Sequence, residues 1–272
     1  MNSSCARSVA ALAALLCSAA PSAAVGQQVG ARADARPDII RAALRMDFVS
    51  RNYELDNEEG TISFDAPMYP GIRLGLEAFP IATFAPDSAA AGLGVQVEFG
   101  KHDVSTVTDI VEPGQDPITL DIPTRHDTSW FALLYEWNAA PGLLVIPHIG
   151  WRAVEYALAY NPLYQNTFYQ GVEIGAGARY ELVDGFSLAG AVGVRPAVSL
   201  GSTATVWGAS ASAFGFSVDA GGRYRSRTGL FADAGIRYES YATDYEPGPD
   251  DTTRTTASDS FFSLLLSVGF AY

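Results

Sequence analysis

From residue 39 to the end of the chain, large apolar side chains recur at every second position in segment after segment. The last segment is the clearest, with Phe262, Leu264, Leu266, Val268, Phe270 and Tyr272 alternating with Ser263, Leu265, Ser267, Gly269 and Ala271. The same rhythm runs through Leu93, Val95, Val97 and Phe99, and through Val172, Ile174, Ala176, Ala178, Tyr180 and Leu182. A period of two is that of a strand with one apolar face and one polar or small face. Ten such segments follow one another, at about 39–50, 67–79, 91–102, 128–138, 143–156, 168–182, 186–200, 212–225, 229–241 and 260–272. Pro147 and Pro196 fall inside two of them and predict bulges or breaks, because proline cannot complete a ladder.

The connections alternate in character. After the fourth, sixth and eighth segments they are short: Asn138 to Gly142, Val183 to Gly185, and Ser226 to Thr228. After odd-numbered segments they are long and polar, as in Arg51 to Ala66, Asp103 to Asp127 and Thr243 to Asp259. Pro80 to Ala90 is the discordant one, long for its side. Short turns on one side and long loops on the other is the arrangement of membrane barrels, with the turns periplasmic and the loops extracellular. The expected fold is therefore all-β, a closed antiparallel transmembrane β-barrel of ten strands, with eight or twelve as the neighbouring even counts. An even count places both termini on the periplasmic side.

A soluble β-sandwich also alternates, but its polar face meets water and should carry Thr, Lys, Glu and Ser in quantity. Here that face carries glycine and charges of both signs. Alternation assigns to it Arg41, Arg45, Arg51, Arg73, Arg152, Arg179, Arg195, Arg223, Arg225 and Arg237, against Asp47, Glu77, Glu98, Glu136, Glu173, Glu181, Asp219, Asp233 and Glu239. Ten against nine is nearly neutral, as a narrow lumen of pairing charges requires. Arginine suits this role, since its fork serves two acceptors, and the chain has a single lysine, Lys101. The apolar face has aromatics at two levels. Tyr180, Phe186, Tyr224, Phe270 and Tyr272 lie towards one side, and Phe48, Phe99, Trp151, Phe214, Tyr238 and Phe262 towards the other. Two girdles around a Val/Leu/Ala band describe a lipid-facing wall.

The first residues change the domain picture. Arg7, the apolar run from Val9 to Ala20 and the small residues to Gly26 read as a signal peptide over 1–26, too short to span a bilayer as a helix. A lipoprotein signal at Cys17 would need a small residue where Leu16 stands. Residues 27–38 are then a periplasmic N-terminal segment and 39–272 the transmembrane barrel. Both cysteines, Cys5 and Cys17, fall in the signal, which leaves no disulfide or thiolate metal site in the remainder. With 17 basic and 30 acidic residues the net charge is −13, and −14 without Arg7, which argues against nucleic-acid binding.

The ending Phe262-x-Leu264-x-Leu266-x-Val268-x-Phe270-x-Tyr272 resembles the insertion signal of bacterial outer-membrane β-barrel proteins, alternating apolar residues closed by an aromatic. That resemblance is one of class. It implies periplasmic chaperones, insertion by the barrel-assembly machinery, and a home among outer-membrane lipid and lipopolysaccharide.

Candidate chemistry is sparse. If the third and fourth segments form a hairpin about Gly114, paired residue numbers sum to 228, so that Val97 faces Phe131 and His102 faces His126. His102, Asp103, His126 and Asp127 then form a lip cluster that could take a divalent metal. Adjacent His and Asp in a strand point to opposite sides, however, so solvated rim residues are the expected outcome. The chain invites comparison with omptin proteases, which are ten-stranded, but lacks a second acidic pair at a matching place. No Ser/His pair of the lipid A deacylase or phospholipase kind is found. His148 is expected to face the lumen as a structural residue, and Gly171 to Gly177 are lumen positions rather than a phosphate loop. No cofactor is expected. The leading function class is a structural or surface-interaction barrel with a largely side-chain-filled lumen. A narrow channel for small solutes or apolar molecules and a lip-active hydrolase are the alternatives.

Overall fold

The computed structural model describes residues 38–57, 60–110, 118–159, 166–205, 210–247 and 255–272. The proposed signal peptide, and all of 27–38 except Asp38, lie outside the described residues. Ten antiparallel strands form the wall: β1 Ile40–Asn57, β2 Gly60–Ala78, β3 Leu93–Ile110, β4 Ile118–Tyr135, β5 Leu143–Leu158, β6 Thr167–Val183, β7 Phe186–Ser199, β8 Ser210–Arg225, β9 Leu230–Glu246 and β10 Thr255–Ala271. Beyond Glu136, β4 resumes for four residues, Trp137–Ala140, still against β5. Each strand pairs with its sequence neighbours, and β10 returns to pair with β1, from Arg41 opposite Ala271 to Asp56 opposite Thr256. The sheet is thereby closed. Among the described residues no helix is long and apolar enough to cross a membrane; this barrel crosses with strands.

Both chain ends meet at one mouth, called here the terminal end, where the Ile39 and Ile40 amides donate to the Tyr272 carbonyl at 2.5 and 3.1 Å. The turns at this end are short, and Gly142, Gly185 and Gly229 take the positive φ that tight reversals require. The long connection is built rather than loose. Pro80–Phe84 forms a single helical turn (α1) and Ala89–Gly92 a 3-10 turn. Between them, Phe79, Ala82 and Ala91 pack on Leu134 of β4 as a small apolar cluster.

The two prolines act as expected. Pro196 sits where the β7–β8 register shifts between Arg195 and Val198. Pro147 lies where β5 leaves β4, whose last partner is His148, and joins the Trp137–Ala140 segment at Val145. Pro70 has a similar effect: β2 and β3 pair only between Ile72–Ala78 and Val95–Lys101.

The opposite, distal end corrects the sequence reading. The described residues of the segments 51–66, 103–127 and 243–259, expected as long loops, are almost all strand. The β1–β2 ladder runs on to Asn57 opposite Gly60, β3–β4 to Ile110 opposite Ile118, and β9–β10 to Tyr245 opposite Thr255. Crossing a bilayer needs only ~9–11 residues per strand, whereas these strands run to 19. The excess encloses its own apolar core, built from Val49, Leu55, Ile122, Val154, Leu158 and Leu200 with tyrosines around them.

Candidate functional site

The lumen is the one interior the fold creates, and its contents change along the axis. Nearest the terminal end lies a rim of carboxylates and guanidiniums. Arg41 donates to Asp38 at 2.7 Å, to Glu77 at 3.1 Å and through both terminal nitrogens to Glu136 at 2.5 and 2.9 Å. Arg225 holds the same Asp38 through two bonds, at 2.8 and 2.6 Å. Burial alone would raise the Asp38 carboxyl, but the bonds from Arg225 and the adjacent Arg41 charge outweigh it and hold the group below the ordinary aspartate range. Deeper, Arg223 forks onto Asp233 at 2.6 and 2.9 Å and Arg45 reaches Glu98 at 3.0 Å.

At mid-height the pairs interlock, and all but the half-buried Arg237–Asp219 pair are buried. Arg73 bridges Asp47 at 2.7 Å and Glu98 at 2.6 Å, while Arg237 bonds Asp219 at 2.6 Å. Arg152 forks onto Glu239 at 2.9 and 2.5 Å, and Arg195 spans Glu173 and Glu239 and bonds the Tyr241 hydroxyl. Unpaired buried charges of this kind would be costly; paired and hydrogen-bonded ones are tolerated. His148 faces the lumen as expected, 3.7 Å from Glu173.

Above this layer the lumen is shut. Arg51 forks onto Asp259 at 2.8 and 2.7 Å, bonds Thr167 and lies 4.0 Å over the Tyr156 ring. Tyr169 donates to Asp259 and stacks on Tyr241 at 4.0 Å between ring centres. Side-chain exposure falls from 25% at Glu77 and 19% at Arg223 to 3% at Arg73 and 0% at Asp259. Below the closed layer the lumen holds a cavity of about 250 Å³ against the small-residue wall of Gly177, Ala189, Ala191, Gly221 and Gly235.

The proposed lip cluster comes apart. His102 does face His126 in the register of sum 228, but both rings point inward, at 0% and 3% exposure, stacked 4.7 Å apart beneath the apolar core. The solvated-rim expectation fails because β3 and β4 continue past these residues instead of ending at them. His102 Nδ1 donates to the His126 carbonyl at 3.0 Å, and Tyr69 bonds His126 Nδ1 at 3.0 Å. Gly71 makes room for this: a Cβ there would overlap the His102 ring. Asp103 and Asp127 point outward, beside Lys101 and Arg125. Among the described residues no group of three His, Cys, Asp or Glu is placed to hold a metal.

The insertion-signal residues Phe262, Leu264, Leu266, Val268, Phe270 and Tyr272 are all exposed on the outer wall. Of the charges assigned inward, Glu181 and Arg225 are exposed at the terminal end. Two inward carboxylates escaped the sequence reading, Asp38 and Asp259, because they stood in the expected periplasmic segment and in an expected loop. Asp259 carried a usable signal, since it shares the parity of Phe261 and Ala257 on the same strand.

Neither a protein-family model nor a curated protein sequence matches the chain. Among solved structures, the outer membrane protease OmpT of Escherichia coli aligns at a TM-score of 0.57 and 10% identity, over 87% of this chain and 97% of that one. The P. putida toluene transporter TodX aligns at 0.36 and 11% identity over 87% and 91%, and Neisserial surface protein A at 0.30 and 12% over 85% and 97%. The fold is that of the bacterial outer-membrane β-barrels.

Proposed function

We propose that this outer-membrane barrel is non-conducting and presents its distal part on the cell surface, as a structural or surface-interaction protein. The observation that carries this is the sealed upper lumen, where Arg51, Asp259, Tyr169 and Tyr241 lie under an apolar core. A path for solutes would need water-accessible side chains at every level. Support for both termini lying in the periplasm comes from the short turns of the terminal end and the long strands of the other. In that orientation Lys101, Asp103, Arg125 and Asp127 stand on the outer wall just beyond Phe99 and Phe131, at the height of lipopolysaccharide headgroups. The exposed terminal strand supports delivery by periplasmic chaperones and the barrel-assembly machinery. Without Phe270 and Tyr272, the chain is expected to lose its heat-modifiable gel mobility; normal assembly of the truncated protein would oppose this part of the proposal.

The name of the first neighbour raises a protease as the competing reading. Burial of His102 and His126 supports a non-catalytic role, since a peptide cannot reach either ring. Planar-bilayer recording tests the main proposal. The purified barrel should give no steady open current, and sustained conductance steps would sink the sealed-lumen reading. Peptide and lipid hydrolysis assays are expected to stay at background.

A further inference from the structure

We propose that the cavity at the terminal end of the lumen binds a small oxyanion, a phosphate or carboxylate group, on the Arg179 guanidinium. Five arginines, Arg45, Arg152, Arg179, Arg223 and Arg237, line that cavity together with six carboxylates, Glu77, Glu98, Glu136, Glu173, Asp219 and Asp233. Four are neutralised, by Glu98, Glu239, Asp233 and Asp219 respectively. Arg179 alone has no ion pair or hydrogen bond among the described residues, and its Nε is buried without a partner.

The nearby carboxylates are already committed. Glu136 gives both oxygens to Arg41. Glu77 gives one oxygen to Arg41 and the other to Gln96. The charged neighbours of Arg179 therefore include the cations Arg223 and Arg41, with acids whose oxygens are occupied. Arg179 is partly exposed to the cavity, and a cation flanked by other cations, with no acceptor of its own, draws a negative group there. The fork geometry of arginine selects planar or tetrahedral oxyanions, which it binds through two parallel bonds.

The same strand leaves the space. Gly177, two residues before Arg179 on β6, faces the same cavity, and a Cβ added there would meet nothing closer than 3.4 Å. A cavity of about 250 Å³ holds a phosphate or a short carboxylate with a few waters, and is smaller than the ~300–1,000 Å³ of typical drug-sized ligand sites. Entry is from the terminal end, because the lumen is closed above. The site is a blind vestibule, and it belongs to the barrel's interior rather than to its distal surface.

Isothermal titration of the full detergent-folded barrel, with inorganic phosphate and separately with acetate at fixed ionic strength, tests the proposal. Saturable binding of either anion is expected, weakened about tenfold or more by Arg179→Gln and largely kept by Arg179→Lys. Gly177→Leu provides the second variant: it fills the cavity without removing a charge and should abolish binding. In anion-free buffer Arg179→Gln should unfold no earlier than wild type, and phosphate should raise the wild-type midpoint only. Absence of saturable heat with both anions overturns the proposal, as does binding that survives Arg179→Gln and Gly177→Leu unchanged. The wild-type titration decides even if a variant fails to assemble.

Discussion

The two halves of this barrel are built inside out with respect to each other. In the terminal half, β1 points Arg41, Arg45 and Asp47 into the lumen and Ile40, Leu44 and Met46 outward. In the distal half the same strand points Val49 and Leu55 inward and Asn52 and Glu54 outward. β5 makes the same exchange between Arg152 and Val154, β9 between Glu239 and Tyr241, and β10 between Ser263 and Phe261. The outer wall changes at a matching level, from Phe99 to Lys101 and Asp103. One backbone thus serves two solvents. Lipid outside requires the polar groups to pair within, whereas water outside lets the apolar groups gather within.

Three measurements can break or sharpen that contrast. The largest expected effect is at the dry end of the lumen. Arg51→Met, which leaves Asp259 buried without its cation, should cost about 3–5 kcal/mol. Arg223→Met, at the wetter Arg223–Asp233 pair, should cost about 0–1 kcal/mol. Urea unfolding in lipid vesicles reads both, and the double change Arg51→Met with Asp259→Leu should recover most of the loss. Equal costs at the two sites would erase the distinction. Next is the outer wall. Leu266→Arg places a charge within the lipid band and should cost about 2–4 kcal/mol, while Ser258→Arg, outward on the distal part of the same strand, should stay within about 0.5 kcal/mol. Matching penalties would mean that lipid covers both halves.

The smallest effect is at the terminal rim. The Asp38 carboxyl is depressed in the folded state, so its clamp is fully present above the unfolded aspartate value of about 3.9. Its contribution is lost only as pH falls below that, through the lower folded value. Thermal unfolding from pH 7 to pH 3 should show this loss at the acid end, and Asp38→Asn should remove it. A decline attributable to Asp38 that began near pH 6 would contradict the assignment.

The ten strands were legible because large residues facing lipid are hard to miss at a period of two. The 228 register of β3 and β4 came from assuming symmetry about Gly114, since neighbouring registers keep the same faces, and it is the register the ladder adopts. The distal continuation was not legible, and the reason is the exchange itself. On β9 the apolar positions are Ile236 and Tyr238, then Tyr241 and Tyr245, so their parity slips by one where the environment changes. On β5 they pass from Ile149 and Trp151 to Val154, Tyr156 and Leu158 in the same way. A slip of one normally marks the end of a strand, because it moves the apolar set to the other face. Here the strand goes on and the surroundings change. The misplacement of His102 and His126 on a wet rim, and of Asp259 in a loop, both follow from that one step. The free guanidinium of Arg179 was beyond sequence reading, since a count of ten bases against nine acids does not say which of them pair.

The closing ladder between β1 and β10 sets the order in which the molecule can form. Its partners, such as Leu44 with Val268, lie more than two hundred residues apart in the chain, so each intervening hairpin that forms first shortens the loop their meeting has to close. Non-local pairing of this kind is slow to form, and until it does the first and last strands each present an open row of amides and carbonyls that hydrocarbon cannot satisfy. The sheet therefore has to mature as a nearly complete, still unlocked ribbon, guarded by whatever occupies its two free margins. The barrel's commitment to the bilayer is then a single late event at one seam rather than a gradual accumulation of strands.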